Sequence, residues 1–441
     1  MKNFGIWLIR IALVLFVLGL FFGHLASESY RITQPKSGVM GFLSLRPLHV
    51  SSAYLGIITA GLGFLTLIIA KMKTTRFGTF LQYFHFSLWV IALLGIFYSY
   101  FTGDFGGREY WEFNPVWALP IFLSFIIFLV FYLHQIGFSI KWPVYYWMWL
   151  TGIIFFIFTF IENYLWIFPY FRQHFIADMT IQWKVNGSLV GAINQIIYGV
   201  AFYLMEKISG DEKSSYQKLS FAMYFLGMFN LMFNWGHHIY LLPTEKYIHY
   251  IAYAVSMTEW IILIRIFYKW SQQIKENKQF YYFFPYRFLM ASDYWVTLNL
   301  TLALFMSIPA INLYTHGTHI TVAHAMGTTI GINTMIILAG VFYFIKPTFN
   351  SVKWRLYGSI AFWMVQVTLL LFLISLIGMG VQRAIWQAGL TSESFSKMSS
   401  SSGNWVLLFI ILGTILMFSM ASFFIYLLIQ SWKKNKLNIE E

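Results

Sequence analysis

The chain has 441 residues, of which 59% are hydrophobic, 21% aromatic and only 10% charged, and its formal net charge is +13. Soluble domains carry about 25% charged residues, so a chain this poor in charge cannot coat a water-soluble globule, and lipid is its solvent. It contains no cysteine, which excludes disulfides, iron–sulfur clusters, thiolate nucleophiles and covalent C-x-x-C-H haem attachment. The basic residues sit in short loops between apolar runs, so the positive charge speaks for membrane topology and against nucleic-acid binding.

A membrane-spanning helix needs about 20 mostly apolar residues. Twelve segments qualify: 4–25, 48–70, 79–101, 115–137, 142–165, 181–205, 217–242, 247–270, 286–312, 318–345, 354–380 and 404–431. The first carries Lys2 and Arg10 but no small-residue cleavage site after it, and reads as a retained helix rather than a signal peptide. The expected fold is all-α, a single transmembrane domain over residues 1–441 with twelve membrane helices. If both termini are cytoplasmic, the inner loops hold most of the Lys and Arg, including Lys71, Lys73, Arg76, Lys207, Lys213, Lys346 and Lys433. The outer loops hold about half as many, among them Arg31, Arg46, Arg108 and Arg172. That asymmetry places both termini on the inner side of a bacterial-type cytoplasmic membrane.

With this topology each histidine acquires a depth. His49 opens the second helix from outside. His237 and His238 lie near the outer end of the seventh, and His324 lies in the first two turns of the tenth. Ionisable residues within spans are costly and point to function. Neutral imidazole suits iron, copper and zinc, and three helices present it at one depth. The plain alternative is a set of interfacial histidines solvated by headgroups. His324 and Met326 are about 200° apart around a helix, so one helix could serve two haems on opposite flanks; Met also fills cores without any such role. Glu259 falls mid-span in the eighth helix. There it is a proton or metal ligand, or a neutral hydrogen-bonded structural residue. His24, His85, His134, His174 and His249 read as interfacial or core residues.

Five stretches carry a resemblance: Arg46-Pro-Leu-His-Val-Ser-Ser-Ala53, Gly107-Arg-Glu-Tyr-Trp-Glu-Phe113, Trp235-Gly-His-His-Ile-Tyr-Leu-Leu-Pro243, Ser256-Met-Thr-Glu-Trp260 and Tyr314-Thr-His-Gly-Thr-His-Ile-Thr-Val-Ala-His-Ala-Met-Gly327. Together they resemble the large subunit of the haem-copper oxidase superfamily, and within it the nitric oxide reductase large subunit. The resemblance implies two b-type haems. His49 and Met326 would hold the low-spin haem and His324 the high-spin haem. His237 and His238 would hold one non-haem metal, iron favoured over copper. Glu259 would help deliver protons. Glu109 and Glu112 would lie where such reductases hold calcium, a carboxylate-friendly ion; a solvated acidic loop is the alternative.

The chain departs from that family in two places. Where the tenth helix should read A-H-x-H, it reads Ala323-His324-Ala325-Met326. In the sixth helix, aligned on Gly191, the expected metal-binding His is Asn186, the metal-binding Glu is Val190 and a second Glu is Asn194. Asn186 is therefore a candidate neighbour of the active site rather than an imidazole ligand. The crosslinked tyrosine of many oxygen reductases, four residues after the sixth-helix His, is also Val190. Few carboxylates lie in the inner half of the spans, so no proton path from the cytoplasm is evident. The expected function is transformation of nitric oxide at a haem/non-haem metal centre near the outer face. A C-type oxygen reductase, a nitric oxide dismutase-like enzyme and a non-catalytic haem membrane protein are the alternatives. Electrons would come from a cytochrome c, cupredoxin or quinol, with a small haem- or copper-containing subunit as a further partner.

Overall fold

The computed structural model describes residues 2–31, 38, 41–70, 72–73, 75–257, 279, 281–347 and 352–433. Glu259, with the inner part of the expected eighth span, lies outside the described residues. Among those described, ten helices are long and apolar enough to cross a membrane. This is a multi-pass helical membrane protein.

In chain order the helices are α1 (Lys2–Glu28), α2 (Phe42–Ile69), α3 (Arg76–Thr102), α4 (Ala118–Ile136), α5 (Val144–Asn163), the short α6 (Pro169–Arg172), α7 (Phe175–Ser209), α8 (Lys218–Phe233) and α9 (Lys246–Ser256). After them come α10 (Phe283–Met306), α11 (Pro309–Thr315), α12 (His319–Met326), α13 (Met335–Ile345), α14 (Val352–Gln387), α15 (Phe395–Ser401) and α16 (Gly403–Lys433). The seventh expected span is shorter than its apolar run: α8 stops at Phe233 and a 3-10 segment, Asn234–Ile239, carries the two histidines.

Helix packing follows membrane rules, in which small residues let backbones approach closely. A Cβ on Gly152 of α5 would lie 2.8 Å from the carbonyl oxygen of Ala192 on α7. Aromatic residues fill the rest: Phe125 of α4 stacks on Phe156 of α5 with ring centroids 3.7 Å apart. One apolar core runs through the described helices from Leu8 to Leu427. Between α12 and α13 the chain forms a π-helix, Gly327–Thr334. π-segments of this kind are rare and gather at functional sites. This one directly follows His324 and Met326.

Candidate functional site

The end of the bundle at which α3 finishes is organised by the Gly107–Phe113 motif. It folds as a two-stranded hairpin, β1 (Phe105–Arg108) against β2 (Trp111–Phe113). Gly107 is required there, because a Cβ would sit 1.7 Å from the Trp111 carbonyl oxygen. Tyr110 turns the hairpin with a φ of 70°. The charged residues of the motif are tied to α2 and α7. Arg108 Nη2 donates to Asp178 of α7 at 2.7 Å, and Arg46 Nη2 of α2 donates to Glu112 at 2.6 Å. Glu109 is 3.7 Å from the same Arg46. Burial pushes the Glu112 carboxyl above its ordinary value, against the opposing pull of Arg46. Tyr110 is pushed up to about 12 by burial and by the charge of Glu109. Glu109 and Glu112, the expected calcium residues, thus already face a guanidinium.

Around this hairpin several buried polar atoms lack a hydrogen-bond partner. They include Trp111 Nε1, Glu112 Oε2, both amide atoms of Asn163, Tyr164 Oη and Trp166 Nε1. Orphaned buried groups are uncommon and call for a missing partner such as water, an ion or a bound group.

The histidines come next. His324 lies in α12, partly buried, with its Nδ1 buried and unpaired although the Asn299 backbone of α10 lies beside the ring. His237 and His238 follow each other in the 3-10 segment with ring centroids 4.2 Å apart. A 3-10 segment permits this pairing, which a regular α-helix would splay by about 100°. The His238 ring rests on α7. A Cβ on Gly187 would lie 2.8 Å from its Cδ2 and 2.9 Å from its Nε2. The face of α7 turned to the site is therefore Trp183, Gly187 and Gly191. Asn186, the residue aligned with the missing ligand, is one position off that face. Val190 is 36% exposed, and Asn194 is bonded to Asn333 of the π-helix at 3.0 Å.

His316, just ahead of α12, is a site residue that sequence reasoning passed over. His237, His316 and His324 all lie close enough for their charges to act on His238. The His316 ring meets Trp183 of α7 edge-on at 5.1 Å, and burial lowers its affinity for a proton. The signal was present in Thr315-His316-Gly317, but was read only as part of a longer signature.

His49 of α2 pairs its Nδ1 with the Gly19 carbonyl of α1 at 2.7 Å. Gly23 makes room for it, since a Cβ there would sit 2.5 Å from Nδ1. Met326 packs on the apolar core, half-buried. Seven residues earlier on the same helix, and so on about the same side, His319 lines a cavity of about 560 Å³ with Tyr30, Arg31, Met379 and Arg383. The remaining histidines have local partners: Ser124 for His85, Thr75 for His134, Tyr170 for His174, Thr244 for His249 and Thr414 for His24.

The family described as cytochrome c and quinol oxidase polypeptide I matches residues 3–416. The chain belongs to this haem-copper oxidase subunit I family. It is 24% identical over 381 residues to cytochrome c oxidase subunit 1 of Rhodobacter capsulatus, covering 80% of this chain and 68% of that protein. A solved heme-copper terminal oxidase dimer superposes with a TM-score of 0.72 at 14% identity, covering 98% of this chain and 84% of that one. At that identity the superposition speaks for the fold. A haem-copper oxidase subunit I is a membrane oxidoreductase that binds haem and a metal centre and takes electrons from cytochrome c or quinol.

The residues of this oxidase subunit fit haem. His324 offers an imidazole with a buried, unpaired nitrogen, and His49 offers one whose Nδ1 is fixed by a backbone carbonyl, leaving Nε2 for a ligand. Arg31 and Arg383 line the cavity two turns outward from Met326, with Arg383 Nε buried and unpaired. They suit the anionic edge of a flat apolar group. The second metal fits less well. Among the described residues no three His, Asp, Glu or Cys side chains converge on a metal position, so the pair His237–His238 has no completed ligand set there.

Proposed function

We propose that this subunit transforms nitric oxide at a high-spin haem held by His324, on the side facing His237 and His238. One observation supports nitric oxide over oxygen. The His238 ring lies directly on Gly187, so position 187 puts no side chain between α7 and the ring, and Val190 faces outward. A tyrosine linked to histidine from this helix has no place in such a site. The Gly107–Phe113 stretch, whose sequence resembles a reductase motif, supports the same reading.

When bound, the haem iron supplies the site for the gas and the route for electrons. The chain's own residues supply the surroundings. His324 fixes the haem from α12. His237 and His238 set the polarity of the opposite wall, where neutral imidazole can accept or donate a proton at Nε2 or Nδ1. Trp183 meets the His316 ring edge-on beside this wall. Arg46, Glu112, Arg108 and Asp178 lock the rim, tying α2 and α7 to the hairpin. His49, with Met326 on the opposite flank of α12 from His324, would hold the electron-transferring haem. Glu109 and Glu112 would hold calcium only if Arg46 gave up one of them. The donor is a cytochrome c, cupredoxin or quinol, and a small haem- or copper-containing subunit would complete the path from a soluble donor.

The test is consumption of nitric oxide by the purified protein with an artificial electron donor, in parallel with oxygen. Turnover of nitric oxide that falls in His237→Ala supports the reading. Equal rates in wild type and variant would remove His237 from the mechanism. Oxygen turnover without nitric oxide turnover would assign the chemistry that the name of the Rhodobacter relative describes.

A further inference from the structure

We propose that the lipid-facing side of α14, beside the start of α10, binds one anionic phospholipid. Its phosphate sits on Arg287 and Arg355, and one acyl chain lies in the groove that leads away from them. The site is at the end of the bundle at which both helices begin.

The groove is an open cavity of about 570 Å³ along α14, lined by Leu356, Ile360, Trp363 and Val367, with Ser359 near one end and Thr368 at the other. These positions recur every three or four residues, so they form one stripe on the helix. From Leu356 to Thr368 the stripe is about 18 Å long at the α-helical rise. That is a little over half of a hydrocarbon core about 30 Å thick, so the stripe runs the depth of one leaflet. It is bare: Trp363 is 60% exposed and Ile360 49%. Lipid covers the outside of any span, so bareness alone names no occupant.

The head of the groove does. Arg287 Nη1 of α10 donates to Ser359 Oγ at 3.0 Å, and Ser359 Oγ donates to the Arg355 carbonyl at 2.8 Å. The Arg287 guanidinium lies over the Phe283 ring at 4.1 Å, and the Arg355 guanidinium lies over the same ring at 5.8 Å. One hydroxyl and one ring thus hold two cations together where the groove starts. Close packing of α10 on α14 fixes their places. A Cβ on Gly358 would lie 2.4 Å from Phe284 Cζ, and Phe288 meets Phe362 with ring centroids 5.2 Å apart. Further along both helices Trp295 Nε1 donates to Gln366. The two helices therefore run parallel, and both arginines stand at the same end.

Charge names the occupant. Arg287 is half-buried. Among the described residues its Nε and Nη2 make no hydrogen bond, and no carboxylate pairs with it. Two like charges held side by side repel, and an anion between them turns that repulsion into attraction. A phosphodiester suits the position, because the planar guanidinium fork gives phosphate oxygens two parallel N–H bonds. Arginines at a membrane surface attract anionic lipid in this way. A phospholipid carries its anion at the head of an apolar chain. The site has the matching order, two arginines at the head of an apolar groove one leaflet long. A partner's helix would need a carboxylate of its own at this one level to do the same.

The experiment is native mass spectrometry of the full chain in detergent, titrated separately with dioleoyl phosphatidylglycerol, dioleoyl phosphatidylcholine, a short-chain phosphatidylglycerol and inorganic phosphate. Expected is one dioleoyl phosphatidylglycerol held more tightly than phosphatidylcholine, with the short-chain lipid and phosphate held far more weakly. Arg287→Gln and Arg355→Gln should each weaken that binding about fivefold. Ile360→Trp fills the groove and keeps both arginines, so it should weaken the long-chain lipid and leave the short-chain lipid as in wild type. The haem spectrum should be unchanged in all three variants. Arg355→Gln carries the test if Arg287→Gln fails to fold. Equal affinity for the two dioleoyl lipids, or phosphatidylglycerol binding that ignores the arginine variants, would overturn the proposal. So would phosphate bound as tightly as the long-chain lipid, or a cryo-EM map in lipid nanodiscs with a protein helix seated in the groove.

Discussion

Replacing Gly187 by alanine adds one methyl group, and the structure says where it goes. The new Cβ would lie 2.8 Å from His238 Cδ2 and 2.9 Å from Nε2. Carbon atoms in contact sit about 3.5–4.0 Å apart, so the ring must retreat by roughly 0.6–1.2 Å. Overpacking of this kind costs about 1–3 kcal/mol. A displacement near 1 Å at a reacting group can lower a rate by about a hundredfold. Nitric oxide turnover in Gly187→Ala should therefore fall by about ten- to a hundredfold. The difference spectrum of the ligand-bound high-spin haem should shift, and haem content should stay the same. Gly191→Ala is the control on the same face of α7. There the Cβ meets Leu231 Cγ at 3.2 Å and Cβ at 3.3 Å, an alkyl side chain that can yield by a few tenths of an ångström. Turnover, difference spectrum and thermal stability report the three consequences. If Gly187→Ala matched Gly191→Ala in all three, α7 would not pack on the His238 ring and the proposed wall of the site would be wrong.

Three further outcomes follow from single distances. Gly23→Ala places a Cβ 2.5 Å from His49 Nδ1; the low-spin haem absorption should be lost or shifted while high-spin haem content persists, and an unchanged low-spin band would remove His49 as its ligand. Gly107→Ala would put a Cβ 1.7 Å from the Trp111 carbonyl oxygen; the hairpin should open and yield of folded protein should drop sharply, whereas normal yield and normal protease resistance in residues 105–113 would contradict the packing. Burial raises the Glu112 carboxyl above its ordinary value and Arg46 opposes it. A raised carboxyl gives stability that is complete below the unfolded value and is lost as pH rises through the folded value. Arg46→Met should move that loss to higher pH, read from the protonated-carboxyl infrared band assigned with Glu112→Gln; a band that titrates at lower pH in the variant would refute the pairing.

Much of the fold was legible because lipid imposes a simple rule. Every backbone group must be satisfied within its own helix, so apolar runs of about 20 residues become spans. The run at 217–242 obeyed it only in part. Its composition is apolar throughout, but the backbone changes at Phe233 to a 3-10 segment, and hydropathy carries no signal for that change. The same change lets His237 and His238 stand side by side. Depth reasoning placed His49, His324 and this pair toward one end of the spans. Rotation was the weaker inference. Aligning on Gly191 drew attention to Asn186, whereas the residue beneath His238 is Gly187; a shift of one position on a helix moves a side chain by about 100°. His316 was missed because it precedes α12, outside any span, and its partner Trp183 lies more than a hundred residues earlier. Arg46 pairing with Glu109 and Glu112 was equally hidden, since it joins the start of α2 to a loop beyond α3.

The central claim is that His324 carries a high-spin haem facing the His237–His238 pair. The most direct measurement is haem content together with magnetic circular dichroism of the purified protein, in wild type and in His324→Ala. Two b-type haems in the wild type, with loss of the high-spin one alone in His324→Ala, is the result this account predicts. A variant that keeps both haems and the wild-type high-spin signature would contradict it.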